Sequence, residues 1–249
     1  MFVDVHCHMD FPQYNEDRHQ VIQRALDAQV AMVNSAISLE GMKSTLDLAR
    51  KYERVYPSLG LSPPELNESV VEKALDLIRS HQDEIVGVGE VGLDYYWVKE
   101  RANQEKEKKY FARFINLAVD LAKPLVIHSR DAESDVLNML RGVDVDVLLH
   151  CFSGSMDDVA EAVSREYLIS IPASIIYSKK KQNIVKNTPM DYIVLETDSP
   201  FLSPKPGERN EPVNVVKVAE KIAEIKALDV EVVELVSTEN AKQFYGLGF

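Results

Sequence analysis

The chain has 249 residues, 45% hydrophobic and 27% charged, and its 40 acidic residues against 28 Lys and Arg leave a formal net charge of −12. That composition suits a globular protein with a sizeable core. No apolar run approaches the ~20 residues that span a bilayer, and the opening MFVDVHCH has neither the basic nor the apolar region of a signal peptide, so a cytoplasmic location and no membrane contact are expected. The acidic balance excludes a non-specific nucleic-acid coat, because polyanion affinity rests on Lys and Arg displacing counterions. It leaves room for an enzyme that holds a phosphate at one local site.

Apolar, β-branched runs alternate with amphipathic segments from end to end. The candidate strands are FVDVHC, AMVNSAI, VYPSLGL, EIVGVGEV, PLVIHS, VDVLLHC, YLISIPA and YIVLETD. They are short and almost continuously hydrophobic, as expected when both faces are covered. Between them, Val21, Ile22, Ala25, Leu26 and Gln29 mark one helix, and Val70, Val71, Ala74, Leu75 and Ile78 a second. Phe111, Phe114, Ile115 and Ala118 mark a third, and Val215, Ala219, Ile222 and Ala223 a late one. Each set has the i, i+3, i+4 spacing of a face packed on a sheet. About eight βα units in this length predict an α/β fold, a TIM (β/α)₈ barrel forming one domain over residues 1–249. A doubly wound sheet that bound a dinucleotide would carry a Gly-rich turn after the first strand, and HCHMDF has none. The Pro-rich passage SPFLSPKPGERNEPVN reads as a functional loop.

Four of the six histidines, His6, His8, His128 and His150, fall at or near the C-terminal ends of candidate strands, as do Glu90 and Asp198. In a barrel those ends converge on one mouth. Alternate side chains share a strand face, so His6 and His8 point together and Cys7 points toward the helices. Cys151 likewise turns from His150, and both cysteines are expected as packed thiols without a disulfide. Imidazoles and carboxylates without thiolate suit Zn, Mn or Co more than an all-oxygen Mg or Ca cage, with Zn or Mn favoured. Six ligands exceed what one tetrahedral ion needs, so two divalent metal ions are expected, with Glu90 able to bridge them. Such a pair activates water and stabilises both oxygens of a phosphoryl displacement, and Asp198 is placed to take a proton from that water.

The stretches DVHCHMD, GEVGLDYY, PLVIHSRDA, VLLHCFSGS, ETDSPFLSP with RNEPVNV, and TENAKQFYGL resemble, in order, the motifs of the TatD family of metal-dependent deoxyribonucleases in the amidohydrolase superfamily. The resemblance implies a hydrolase that cleaves phosphodiester bonds, with DNA as substrate and no obligate protein partner. It implies one ion held by His6, His8, Glu90 and Asp198 and a second by Glu90, His128 and His150. The chain departs from the family where a GxHP motif usually follows the third strand. Here it reads GLSPPE, with Ser62 at the histidine position. Metal binding is expected to survive this, since the ligands lie elsewhere; substrate contact or leaving-group protonation is where the change falls. An amidohydrolase acting on a small amide, lactone or phosphoester is the alternative.

Plainer roles compete for several residues. Arg130 is expected to contact phosphate, although Asp131 or Glu133 could pair with it. Arg209 could do the same or belong to an internally paired ERNEP loop. Asp94 could stand behind a metal ligand or be an ordinary turn residue, and the turn is the expectation. Lys179, Lys180 and Lys181 are expected on a solvated helix face rather than as a nucleic-acid track, and His19 and His81 on the surface. Tyr95, Tyr96 and Trp97 could form a base-stacking wall or pack on one another.

Overall fold

The protein, a computed structural model describing residues 1–63 and 67–249, places its β-branched runs in one parallel sheet of eight strands in the order β1 to β8. These are β1 Phe2–Cys7, β2 Val30–Ala36, β3 Val55–Leu59, β4 Gly87–Asp94, β5 Leu125–Arg130, β6 Val147–Leu149, β7 Leu168–Ile171 and β8 Ile193–Leu195. Beyond β8 the chain runs on beside β1, where the Asp198 N–H donates to the His6 carbonyl at 3.0 Å and the His8 N–H to the Ser199 carbonyl at 2.8 Å. Thr197 adds to the seam by donating its N–H and hydroxyl to the buried Asp4 carboxylate. The sheet is thus closed as a TIM barrel, as the alternation in the sequence leads one to expect.

The helices are α1 Arg18–Asp27, α2 Leu39–Lys51, α3 Glu68–Ser80, α4 Arg101–Leu121, α5 Glu133–Met139, α6 Met156–Ser164, α7 Lys179–Asn187, α8 Val215–Lys226 and α9 Val230–Tyr245. The four apolar stripes read from the sequence are the buried faces of α1, α3, α4 and α8. Gln29 is the exception: it lies past α1 with φ 56°, in the turn that feeds β2. No described helix is long and apolar enough to cross a membrane.

The barrel interior has two levels. At the bottom, Val3, Val5, Ala31, Val33, Val126, Leu148, Leu168 and Val194 form an apolar plug with Phe244, Tyr245 and Leu247 from the C-terminal end. Above it the inward positions turn polar: Ser35, Ser58, Ser170, Glu90 and His150 are all buried. Two register shifts help make this change. The β1–β2 ladder slips between Asp4 and Cys7, and the β4–β5 ladder between Val88 and Val91. The first lets Val5 join the plug while His6 still enters the lumen. The second turns Glu90 inward between the outward-packed Val88 and Val91. Gly92 sits at φ +149°, and a Cβ there would meet the His128 carbonyl at 2.0 Å, so only glycine lets β4 lie this close to β5.

Candidate metal centre

The polar upper level gathers side chains from distant parts of the chain. His6 Nε2 lies 3.0 Å from Glu90 Oε2 and 3.3 Å from His8 Nε2. His8 Nε2 is 3.4 Å from Asp198 Oδ1. His128 Nδ1 is 2.8 Å from Glu90 Oε1, and His150 Nε2 is 3.9 Å from that same oxygen. Two trios, His6 with Glu90 and His150, and His6 with His8 and Asp198, each have ligand atoms within 4.8 Å of one another. His128 belongs to neither trio and joins through Glu90. Glu90 therefore sits centrally, one oxygen toward each side.

The outward nitrogens of these rings are all held. His8 Nδ1 donates to the Ser35 carbonyl at 2.7 Å, and His6 Nδ1 meets Ser35 Oγ at 3.1 Å. His128 Nε2 donates to Asp94 Oδ2 at 2.9 Å, and His150 Nδ1 to Glu196 Oε2, also at 2.9 Å. Ser170 in turn donates its hydroxyl to Glu196. Fixing one nitrogen of each imidazole from behind leaves the other as a lone pair facing the centre, which is how metal-binding histidines are usually oriented. The donor set therefore fits divalent cations.

Protons stand in for cations electrostatically. Burial works against a charge on His8, but its bond to Asp198 and the nearby Glu90 push the ring up to about 9. Burial opposes charge on His128 as well, and there Asp94 and Glu90 raise the ring to about 10. Burial disfavours ionised Glu90, yet His150, His128 and His6 hold its carboxyl well below the usual range. Asp198, desolvated in the same way, is lowered by His8 and His150. Two carboxylates buried this deeply need positive charge, which here comes from the rings.

Asp94 is not simply a turn residue, as expected. β4 runs three residues past the candidate strand, so Asp94 ends it on the same face as Glu90 and holds His128, while its other oxygen accepts the Trp97 N–H at 2.9 Å. Glu196 was missed altogether, though it stands two residues before Asp198. Lys181 is not solvated: it is 5% exposed and borders the cavity at the metal centre, whereas Lys179 and Lys180 are exposed. Arg130 pairs with neither Asp131 nor Glu133 among the described residues; its guanidinium lies 3.6 Å over the Tyr96 ring and borders the same cavity. Arg209 takes the internal alternative, gripping Asp17 with both terminal nitrogens and reaching Glu211. Both thiols are free, and Cys151, only half-buried, lines the cavity instead of packing under helices.

His19 on α1 bonds Tyr52 just past α2, and His81 just past α3 bonds Glu84 in the turn that follows; neither is among the clustered ligands. Trp97 is 65% and Tyr96 43% exposed, meeting edge to face at the rim, with Phe201 another exposed ring beside His8. Tyr95 turns away to donate to Asp135. Ser62 donates its N–H to the Ile37 carbonyl and borders a second cavity, shared with Phe11, whose ring stacks on His8. Pro64 and Glu65 of the GLSPPE stretch lie outside the described residues.

A parallel barrel with a histidine and carboxylate cluster at the C-terminal rim is the architecture of a metal-dependent hydrolase. The chain belongs to the TatD family: the family described as TatD related DNase matches residues 3–246. An uncharacterized metal-dependent hydrolase of Methanocaldococcus jannaschii is 36% identical over 98% of this chain and 96% of its own. A Homo sapiens protein named deoxyribonuclease TATDN3 is 37% identical over 98% of this chain and 94% of its own. Among solved structures, a TatD homologue from Escherichia coli k12 superposes with a TM-score of 0.91 at 25% identity, covering 99% of this chain and 98% of that one. The fold and family expected from the motifs are both borne out.

Proposed function

We propose that this hydrolase is a deoxyribonuclease that cleaves phosphodiester bonds with two divalent ions. His6, His8, Glu90 and Asp198 would hold one ion, and Glu90, His128 and His150 the other. The observation that carries this reading is the convergence on Glu90 of rings whose outer nitrogens are already engaged. When bound, the ions supply Lewis-acid charge and an activated water, with Zn or Mn favoured by the imidazole-rich donor set.

The chain's own residues do the rest. Glu90 and Asp198 stay ionised because the histidines lower both. Asp198, with Oδ1 3.4 Å from His8 Nε2 at the edge of the cavity, would take up a proton from the nucleophilic water. Arg130, free of carboxylate partners among the described residues and braced flat on Tyr96, offers paired N–H groups to the phosphate oxygens. The cavity at the centre, about 300 Å³, is in the size range of small-molecule sites and is lined by Arg130, His128, His150 and Asp198. Phe201, an exposed ring beside His8, and Tyr96, which carries Arg130 on one face, suit stacking of splayed bases. The name of the human relative agrees with a DNA substrate.

The test is metal analysis of the purified protein together with digestion of single-stranded DNA. A panel of RNA, p-nitrophenyl phosphodiesters and N-acyl amides runs beside it. Chelation should abolish DNA cleavage, and Mn or Zn should restore it. Cleavage that persists without metal, or turnover confined to the amides, overturns the reading.

A further inference from the structure

α7 presents Lys181, Ile184 and Val185 to the interior, at the spacing of an apolar stripe. A lysine in such a stripe is costly, because a buried ammonium normally takes a carboxylate partner. Lys181 has none among the described residues. Its Nζ donates to the Cys151 carbonyl at 2.6 Å, the Phe152 carbonyl at 2.6 Å and Ser153 Oγ at 2.7 Å. The hydrogen bonds are satisfied, but the charge is not neutralised, and it stands in the wall of the cavity that holds His128, His150 and Asp198.

The bonds also fix a direction. An ammonium only donates, so Ser153 Oγ must accept from it, and the Ser153 hydroxyl hydrogen is left to be given elsewhere. Its nearest protein acceptor is the Cys151 carbonyl, a long 3.4 Å away and already serving Lys181. Ser153 is half-buried and borders the cavity, as does Arg130. One oriented hydroxyl, one buried cation and one unpaired guanidinium thus face a common space, a combination that suits a phosphate oxyanion.

We propose that Lys181 is a specificity-determining residue: with Ser153 it receives a second phosphate group of the substrate, next to the phosphodiester being cleaved, whose own oxygens face Arg130. This rests on the nuclease reading above. The second phosphate could be an internal diester or a terminal monoester, and the chemistry of recognition is shared.

The experiment compares kcat and KM of the metal-loaded protein on five substrates. They are bis(p-nitrophenyl) phosphate, a thymidine dinucleotide, its 5′-phosphorylated and 3′-phosphorylated forms, and the trinucleotide. Lys181→Met should lower kcat/KM on the substrates carrying a second phosphate on the order of tenfold to a hundredfold, mainly through KM, as for loss of a charge-assisted contact. On bis(p-nitrophenyl) phosphate it should change by less than about twofold. Lys181→Arg should keep the preference, and Ser153→Ala, at a half-exposed position, should erase several-fold of it. The form that responds identifies which phosphate is bound.

An equal loss on every substrate would reduce Lys181 to a structural tie. Unchanged kinetics in folded Lys181→Met and Ser153→Ala would also overturn the proposal. Should Lys181→Met fail to fold, Ser153→Ala alone decides by the same criterion. If the wild-type protein cleaves no diester at all, the nuclease reading itself fails; if it cleaves them without preference, only the role of Lys181 does.

Discussion

Replacing Asp94 with alanine should weaken metal binding by an amount that grows with pH. The substitution removes the carboxylate that accepts from His128 Nε2 at 2.9 Å and leaves Nδ1 facing Glu90 at 2.8 Å. Two opposing effects follow. Asp94 makes His128 a stronger donor to a cation, and partners of this kind are worth about 10–100-fold in metal affinity, the range of a charge-assisted bond of about 1.5–3 kcal/mol. The same carboxylate also strengthens the competing proton: against burial, Asp94 and Glu90 hold the ring at about 10. At pH 7 an incoming ion must therefore displace a proton that is about three pH units from leaving. Alanine weakens proton and metal together, so near neutrality the losses largely offset and the deficit should be only a few-fold. As pH rises toward the wild-type ring's own pKa, proton competition fades and the deficit should widen to the full about 10–100-fold. Titration against a chromophoric chelator between about pH 6.5 and 9.5 measures this, with proton release counted in buffers of different ionisation enthalpy. A deficit equal at every pH, or none at all in a folded variant, would refute the argument that Asp94 acts on the metal through His128.

Asp198→Asn should lower kcat on the order of 10²–10⁴-fold even with metal in excess, read by steady-state kinetics. Chelation should lower the melting temperature, read by calorimetry, and Zn or Mn should restore it, since an ion at about a hundred times its Kd adds about 2.7 kcal/mol per site. With a net charge of −12, the association rate with single-stranded DNA should rise as salt increases from about 10 to 100 mM, opposite to a basic nuclease; stopped-flow binding checks the sign. Gly92→Ala should cost about 1–3 kcal/mol in urea denaturation, because the new Cβ meets the His128 carbonyl at 2.0 Å and cannot adopt φ +149° without strain.

The barrel was legible because its strands carry a signal that does not depend on neighbours. A short run such as Leu125–Ile127, apolar on both faces, announces a strand covered by helices outside and by a plug inside. Strand ends were not legible, since hydrogen bonding to the next strand sets them. EIVGVGEV starts three residues before β4 and stops three residues short of it, because Gly92 pairs with His128 and Asp94 with Arg130 on β5. That missing end is why Asp94 was expected in a turn. Lys181 was misread for a different reason. Three consecutive lysines look solvated, but the stripe with Ile184 and Val185 assigns only the third to the interior.

The inner residues follow one rule that was applied too narrowly. Alternation placed His6 beside His8; applied from Glu90 it reaches Asp94, and from Asp198 it reaches Glu196. Each residue found this way accepts from the far nitrogen of a central histidine, Asp94 from His128 and Glu196 from His150. The same period therefore points to two layers of the site: residues at the rim face the centre, and a carboxylate four residues after Glu90 or two before Asp198 falls behind a ring, His128 on the adjacent β5 in the first case and His150, two strands away after β6, in the second. What alternation could not supply is the register between strands, which decides which ring each carboxylate meets. It also fails across a bulge. Asp4, two residues before His6, lies on the far side of the β1 register shift and bonds Thr197 at the closing seam and the His6 backbone N–H instead of a histidine ring. The same period thus leads to opposite roles, closure for Asp4 and histidine support for Asp94 and Glu196, and only the hydrogen-bonded ladder separates them.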